Sequence, residues 1–267
     1  MPSVSNIAVG AAMAGAAASK ARHQMNESIA RLSTGIRSMY GGDAAGQSIA
    51  NSLGAKGASF AVAARNAEDG ISFLQSAESL LLEMAALTTR LRELGIQYAN
   101  KDLLTTTDEA ALDAEAVAIG DAIDSIADNV KFNGTQLIGS VAGGGAVTIG
   151  INDAGNTATI GTATTIAIVN TDNITGANGV DGSADTALGQ IAKSLGNVAA
   201  GMSALKGYQA VAHASAANLK AAAARIQDTD YALETANLTK AAILNQSAMA
   251  MVAQANQAQQ AILTVIQ

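Results

Sequence analysis

Between Leu188 and Ile226 the apolar positions step by three and four residues without a break. They run through Leu188, Ile191, Leu195, Val198, Met202, Leu205, Gln209, Ala212, Ala216, Leu219, Ala223 and Ile226. The pattern describes one helix about 60 Å long at 1.5 Å per residue. Its stripe needs a partner helix along the whole run. The single proline is Pro2, so the commonest helix breaker is missing from everything after it. There is no Trp, and aromatics make up 3% of the residues. With so few rings to fill an interior, the core has to be built from Ala, Leu, Ile and Val, which suits helices packed side by side.

The first half supplies candidate partners for that helix. Met25, Ile29, Leu32, Ile36 and Met39 step by 4-3-4-3, Gly41-Gly42 interrupts them, and Asp43 stands where an N-cap opens a helix over 44–64. A further helix is predicted over 67–99, with its seam at Leu74, Ala77, Leu81, Met84, Thr88, Leu91, Gly95 and Tyr98. The polar stretch 100–107 reads as a turn, after which Thr106 and Glu109 have capping-box spacing. Leu112, Ala116, Ile119, Ile123, Ile126 and Val130 then carry the rhythm to Asn133-Gly134. The two halves are expected to pack antiparallel, with both termini at one end.

The middle changes character. Gly143 to Gly145, alternating Val147, Ile149 and Ile151, a turn at 152–155, and Thr157 to Ile160 predict a β-hairpin. Thr164 to Val169 reads as another strand, and Asn170 to Asp185 as turns. The predicted fold is therefore mainly α, with long antiparallel coiled-coil-like helices and a small β-hairpin-containing insertion. Residues 1–40 with 227–267 form one helical domain, 43–139 with 186–226 a second, and 140–185 an exposed Gly- and Thr-rich insertion.

The C-terminal segment has two greasy sides. At 100° per residue, Tyr231, Leu238, Ala242, Met249, Val252 and Leu263 share one arc, while Ile226, Leu233, Ile243, Leu244, Met251, Ile262 and Val265 cluster opposite. Apolar surface on opposed faces requires burial on both. One partner helix inside the molecule covers only one of them, so the other is expected to meet neighbouring copies. The terminal segments are accordingly expected to be poorly ordered until they assemble.

Other chemistry is sparse. A formal net charge of −7 without a Lys/Arg cluster argues against nucleic acid, and the absence of cysteine removes disulfides, thiol catalysis and cysteine metal sites. His23 and His213 have no second ligand at metal or catalytic spacing. The run through Asp172, Asn178, Asp181 and Asp185 misses the calcium-loop pattern and reads as turns. Asn173-Ile-Thr175 fits a glycosylation sequon. No nucleophile elbow, phosphate loop or catalytic carboxylate pair occurs, so neither an enzyme nor a cofactor is expected. The apolar stretch Ile7 to Ala18 lacks a basic flank and is too short to span a membrane. An alanine-rich packing helix, without membrane insertion, is expected there.

Several stretches resemble the bacterial flagellin family. In the first half these are Glu27-Ser-Ile-Ala-Arg-Leu-Ser-Thr-Gly-Ile-Arg37, Asp43-Ala-Ala-Gly-Gln-Ser-Ile-Ala-Asn51, Arg65-Asn-Ala-Glu-Asp-Gly-Ile-Ser72, Arg90-Leu-Arg-Glu-Leu-Gly-Ile-Gln97 and Lys131-Phe-Asn-Gly-Thr135. In the second they are Arg225-Ile-Gln-Asp-Thr-Asp-Tyr-Ala-Leu-Glu234 and Ala253-Gln-Ala-Asn-Gln257. The resemblance implies a secreted structural subunit of the extracellular flagellar filament, exported unfolded through a type III apparatus and polymerising through its terminal helices. Its implied partners are other copies of the same chain, hook-associated and cap proteins, and an export chaperone at the C-terminal segment. A hook–filament junction protein of the same superfamily is the alternative. The predicted polymerisation interface comprises Met25, Ile29, Leu32, Ile36, Leu233, Leu238, Leu244, Met249, Met251, Val252, Ile262 and Leu263. Arg90, Leu94 and Glu115 match a patch seen in many flagellins by the flagellin-sensing Toll-like receptor, and an exposed arginine flanked by a leucine suits an interface anchor.

Overall fold

A computed structural model describes residues 2–37, 42–138, 146–152, 154–161 and 180–266. The elements in chain order are α1 (Pro2–Thr34), α2 (Ala44–Tyr98), a 3-10 turn over Lys101–Leu103, α3 (Thr106–Asn129), β1 (Lys131–Phe132), β2 (Thr135–Gln136), β3 (Ala146–Gly150), β4 (Thr157–Gly161), α4 (Val180–Gln227) and α5 (Tyr231–Ile266). Long helices with two small antiparallel hairpins, β1–β2 and β3–β4, make the predicted mainly α fold. The chain divides into two compact units, Met1–Ala55 with Leu219–Gln267, and Lys56–Asn218.

The unit Lys56–Asn218 is built on leucine and isoleucine. Leu74, Leu81 and Met84 of α2 meet Ile123 of α3 and Ile191, Val198 and Leu205 of α4 in one buried cluster. Thr88, inside the α2 seam, gives its hydroxyl proton to the Met84 carbonyl oxygen at 2.7 Å, which satisfies it without a partner from another helix. The predicted seams of α3 and α4 are the ones buried, at Ala116 and Ile123 and at Ile191, Val198, Leu205 and Ala212.

Four local expectations change. The two helices predicted over 44–64 and 67–99 are one continuous α2. At their supposed junction the inward positions are Ala63, Ala64, Ala67 and Gly70, so the seam continues in residues too small to register as an apolar stripe. Leu94, not Gly95, is the buried position, stepping 3 and then 4 from Leu91 to Tyr98. The capping box lies one residue earlier than expected. The Thr105 hydroxyl accepts from the Asp108 amide at 3.3 Å, and the Thr105 amide donates to the Asp108 carboxylate at 3.0 Å. Hydrogen bonds from the Thr105 hydroxyl and amide hold the Asp108 carboxyl below its ordinary pKa. Finally, 180–185 belong to α4, where Ala184 is buried and Asp185 pairs with Arg92 at 2.6 Å.

The β elements sit beside this bundle. Asn133 and Gly134 both have positive φ (49° and 82°), as a tight two-residue hairpin turn requires. They join β1 to β2, a hairpin too short to show alternation in the sequence. In the predicted β3–β4 hairpin Val147 pairs with Ile160, and the Asn152 side chain accepts from the amides of Ala154 and Asn156 to close the turn. The strand expected at Thr164 to Val169, the sequon at Asn173 and the polar run through Asp172 and Asn178 lie outside the described residues.

Gly70 is where this hairpin meets α2. A Cβ there would collide with the Ile149 side chain and approach Leu205 Cδ1 to 2.9 Å. Both neighbours are themselves buried. Gly70→Leu is therefore expected to destabilise this unit by about 2 kcal/mol through overpacking. An unchanged urea midpoint would show that the contact yields freely.

Candidate assembly surface

The other unit is an antiparallel pair, α1 against α5, and its seam is lined with alanine. On α1 the inward line is Ala14, Ala18, Ala21, Met25, Ser28 and Leu32; on α5 it is Glu234, Leu238, Ala241, Asn245, Ala248 and Val252. Each follows the 4-3 step of a coiled coil. The terminal segments are helical and lie against each other along this seam.

The pair is knitted at the joint between its helices. Gly35 ends α1 in the left-handed region at φ 71°, its amide bonded to the Arg31 carbonyl at 2.8 Å. Its own carbonyl accepts from the Thr229 amide at 2.9 Å. The Arg37 amide bonds the Gln227 carbonyl, and the Arg37 guanidinium reaches the Ile226 carbonyl at 3.1 Å. Asp230 then caps α5, accepting from the amides of Ala232 and Leu233. The two stretches at 27–37 and 225–234, nearly 200 residues apart in the sequence, are therefore two sides of one structural joint. Arg31 stands 3.6 Å from Glu234, a carboxylate buried in the seam. At the other end of α2's approach, the Asp43 side chain accepts from the Gly46 amide at 2.8 Å, as an N-cap does.

The predicted interface residues divide between the seam and the outside. Met25, Leu32, Leu238 and Val252 are half-buried on the seam, and Ile36 is half-buried in a β-bridge with Asp228. Ile29 turns outward and is 49% exposed, because Ser28 occupies the position facing α5. Leu233, Leu244, Met249 and Met251 are all exposed, as is Ile243 beside them. Tyr231 is exposed as well. Met39 and the side chains of Ile262 and Leu263 lie outside the described residues. Val9 and Met13 of α1 are exposed large apolar residues that the sequence reading passed over amid the alanines. Alongside the seam runs a groove of about 460 Å³ with Ala14, Ala21, Leu244 and Met251 in its lining and Lys20 and Lys240 at its edge.

Of the three residues predicted to form a receptor patch, Arg90 and Glu115 are exposed and Leu94 is not. Leu94 is fully buried among Leu91, Tyr98, Ala116 and Ala187, which corrects the picture of an exposed leucine beside an arginine. Arg90 pairs with Glu115 at 2.7 Å and Glu93 at 3.1 Å. The hydrogen bond to Glu115, seconded by Glu93, raises the Arg90 pKa above its ordinary value. His23 and His213 are exposed. Among the described residues no acidic, histidine or cysteine group is arranged to hold a metal ion, and no helix is long and apolar enough to cross a membrane.

Comparison with known proteins agrees at both ends of the chain. The family model for the bacterial flagellin N-terminal helical region matches residues 5–142, and that for the C-terminal helical region matches residues 182–266. Flagellin FlaB2 of Treponema pallidum is 34% identical over 264 residues, covering 91% of this chain and 92% of that protein. The flagellar filament 33 kDa core protein of Treponema phagedenis is also 34% identical, with the same coverage. The flagellin of Halalkalibacterium halodurans is 32% identical over 256 residues, again with 91% and 92% covered. The chain belongs to the bacterial flagellin family and is a structural subunit of the flagellar filament.

Proposed function

We propose that this subunit joins the filament through the outward faces of the α1–α5 pair, and that the unit Lys56–Asn218 serves as the stable body carried along. The observation that supports this most is the exposure of Leu233, Ile243, Leu244 and Met251 on α5, which α1 leaves uncovered. No charged side chain occurs after Lys240. A helical segment of that length with no charge on any side is suited to burial all round. Each Leu or Ile fully buried between copies contributes about 1.5–3 kcal/mol. Repetition of one head-to-tail contact gives an open helical polymer and not a closed ring.

The same reading includes unfolded export through a type III apparatus, a chaperone on the C-terminal segment, and hook-associated and cap proteins at the filament ends, for which family membership is the support. A flagellin match at both ends of the chain leaves the hook–filament junction alternative without support of its own. Recognition by the Toll-like receptor is not part of the proposal, since Leu94 is interior and Arg90 is held by two carboxylates.

Purified subunit added to filament fragments is expected to lengthen them, as seen by electron microscopy. Ile243→Asp places a charge on the uncovered face. It is expected to change the stability of the free subunit by no more than about 0.5 kcal/mol, yet to stop lengthening. Normal growth of this variant would exclude the uncovered face of α5 from the contact.

A further inference from the structure

Among the described residues the methionines are unevenly placed. Met84 is buried in the core of the unit Lys56–Asn218, and Met202 packs against the same core. Met25 is half-buried on the α1–α5 seam. Met13, Met249 and Met251, by contrast, are 69%, 47% and 64% exposed, and all lie on the α1–α5 pair. The chain has no cysteine and no tryptophan. Thiols, the usual first targets of two-electron oxidants, are absent, and exposed thioethers become the most reactive groups left.

We propose that Met13, Met249 and Met251 are oxidation-sensitive positions on the assembly surface. A peroxide-class oxidant converts them to sulfoxides in the free subunit and so bars it from the filament, while the incorporated subunit is spared. This rests on the reading that the outward faces of α1 and α5 meet other copies. In each step the sulfur lone pair attacks one peroxide oxygen. The O–O bond breaks, an S=O bond forms, sulfur loses two electrons, and the other oxygen leaves as water after taking up the protons.

At Met249 the product would be held in place. The Arg22 guanidinium already lies 3.8 Å from the Met249 sulfur, a weak contact because a thioether is a poor acceptor. A sulfoxide oxygen in that place accepts a charge-assisted hydrogen bond. The side chain is then fixed, in polar form, on the surface that must be dehydrated for assembly. Met251 lines the groove beside Leu244, and its oxidation puts a second polar group on the uncovered side of α5.

Free subunits and preformed filaments are treated with the same dose of hydrogen peroxide, and oxygen uptake at each methionine is read by peptide mass spectrometry. Met13, Met249 and Met251 are expected to oxidise first in the free subunit and to be protected in the filament. Treated subunits are expected to lengthen seeds slower by about tenfold or more, roughly what losing the burial of a single methionine would cause. Methionine sulfoxide reductases are expected to restore growth. In the combined variant Met13→Leu, Met249→Leu and Met251→Leu, whatever its own rate of growth, treated and untreated subunits are expected to lengthen seeds equally.

Unchanged growth of fully oxidised subunits, equal oxidation in filament and free subunit, or no recovery after reduction would each overturn the proposal. Because reductase repair uses the native chain, the question is decided even if the triple variant fails to fold. Failure of untreated native subunit to lengthen seeds would instead remove the assembly reading beneath it.

Discussion

Removal of residues 250–267 is expected to abolish seeded filament growth while leaving the unit Lys56–Asn218 folded. The deletion takes away exposed Met251 and half-buried Val252, together with Ile262, Leu263 and Val265 further along. Several side chains worth about 1.5–3 kcal/mol each on full burial are lost at once. At about 1.4 kcal/mol per tenfold, the association constant for a filament end falls by three orders of magnitude or more. The cluster of Leu74, Leu81, Ile191 and Leu205 contains none of the deleted residues, so the urea midpoint of that unit should hold. Sedimentation and electron microscopy of the seeded mixture read the first effect, and tertiary dichroism reads the second. Filaments of ordinary length from the truncated chain would refute assembly through α5.

The second large effect concerns that body and separates two adjacent leucines. Leu81 is fully buried, whereas Leu82 is 56% exposed. Leu81→Ala removes packing that nothing nearby can replace, and is expected to cost about 2–5 kcal/mol. At about 2–4 °C per kcal/mol for a unit of this size, the thermal midpoint falls by roughly 5 °C or more. Leu82→Ala should stay within about 0.5 kcal/mol. Equal losses for the two variants, measured by urea titration, would mean that the side of α2 facing the bundle has been misassigned.

The contrast between the two units also explains what the sequence made legible. In α3 and α4 the inward positions are filled by Ile, Leu and Val, so the 4-3 rhythm read from residue size found the true seam. In α1 the same method chose Ile29 over Ser28, because it follows the larger apolar residue. Closely paired helices reverse that logic. The small side chains at Ala14, Ala18, Ala21 and Ser28 face the partner, and the larger Ile29 and Met13 are left outside. The break expected near residue 65 has the same origin, since Ala63, Ala64, Ala67 and Gly70 gave no apolar stripe to follow. Leu94 and Gly95 both satisfy a 3-4 alternation counted from Leu91, and only the packing of Leu94 against Ala116 and Ala187 decides between them.

The candidate site was half legible. Two greasy sides on the C-terminal segment could be counted from the sequence, and Leu233, Leu244 and Met251 are indeed uncovered. The joint at Gly35 and Thr229 could not, because it is made of backbone hydrogen bonds between segments with no periodic relation. The first hairpin escaped for a similar reason: strands of two residues carry no alternation, and the Asn133-Gly134 turn was the one visible sign of it.

The alanine seam has a mechanical consequence. Separating α1 from α5 bares alanine methyls and side chains that are already half-exposed, such as Met25, Leu32 and Leu238, while opening the other unit bares whole buried leucine and isoleucine side chains at a greater free-energy cost per residue. A molecule stretched by its two ends in a force-spectroscopy experiment should therefore unzip from the termini inward under a light load. The leucine-filled bundle should yield in a distinct second event at higher tension.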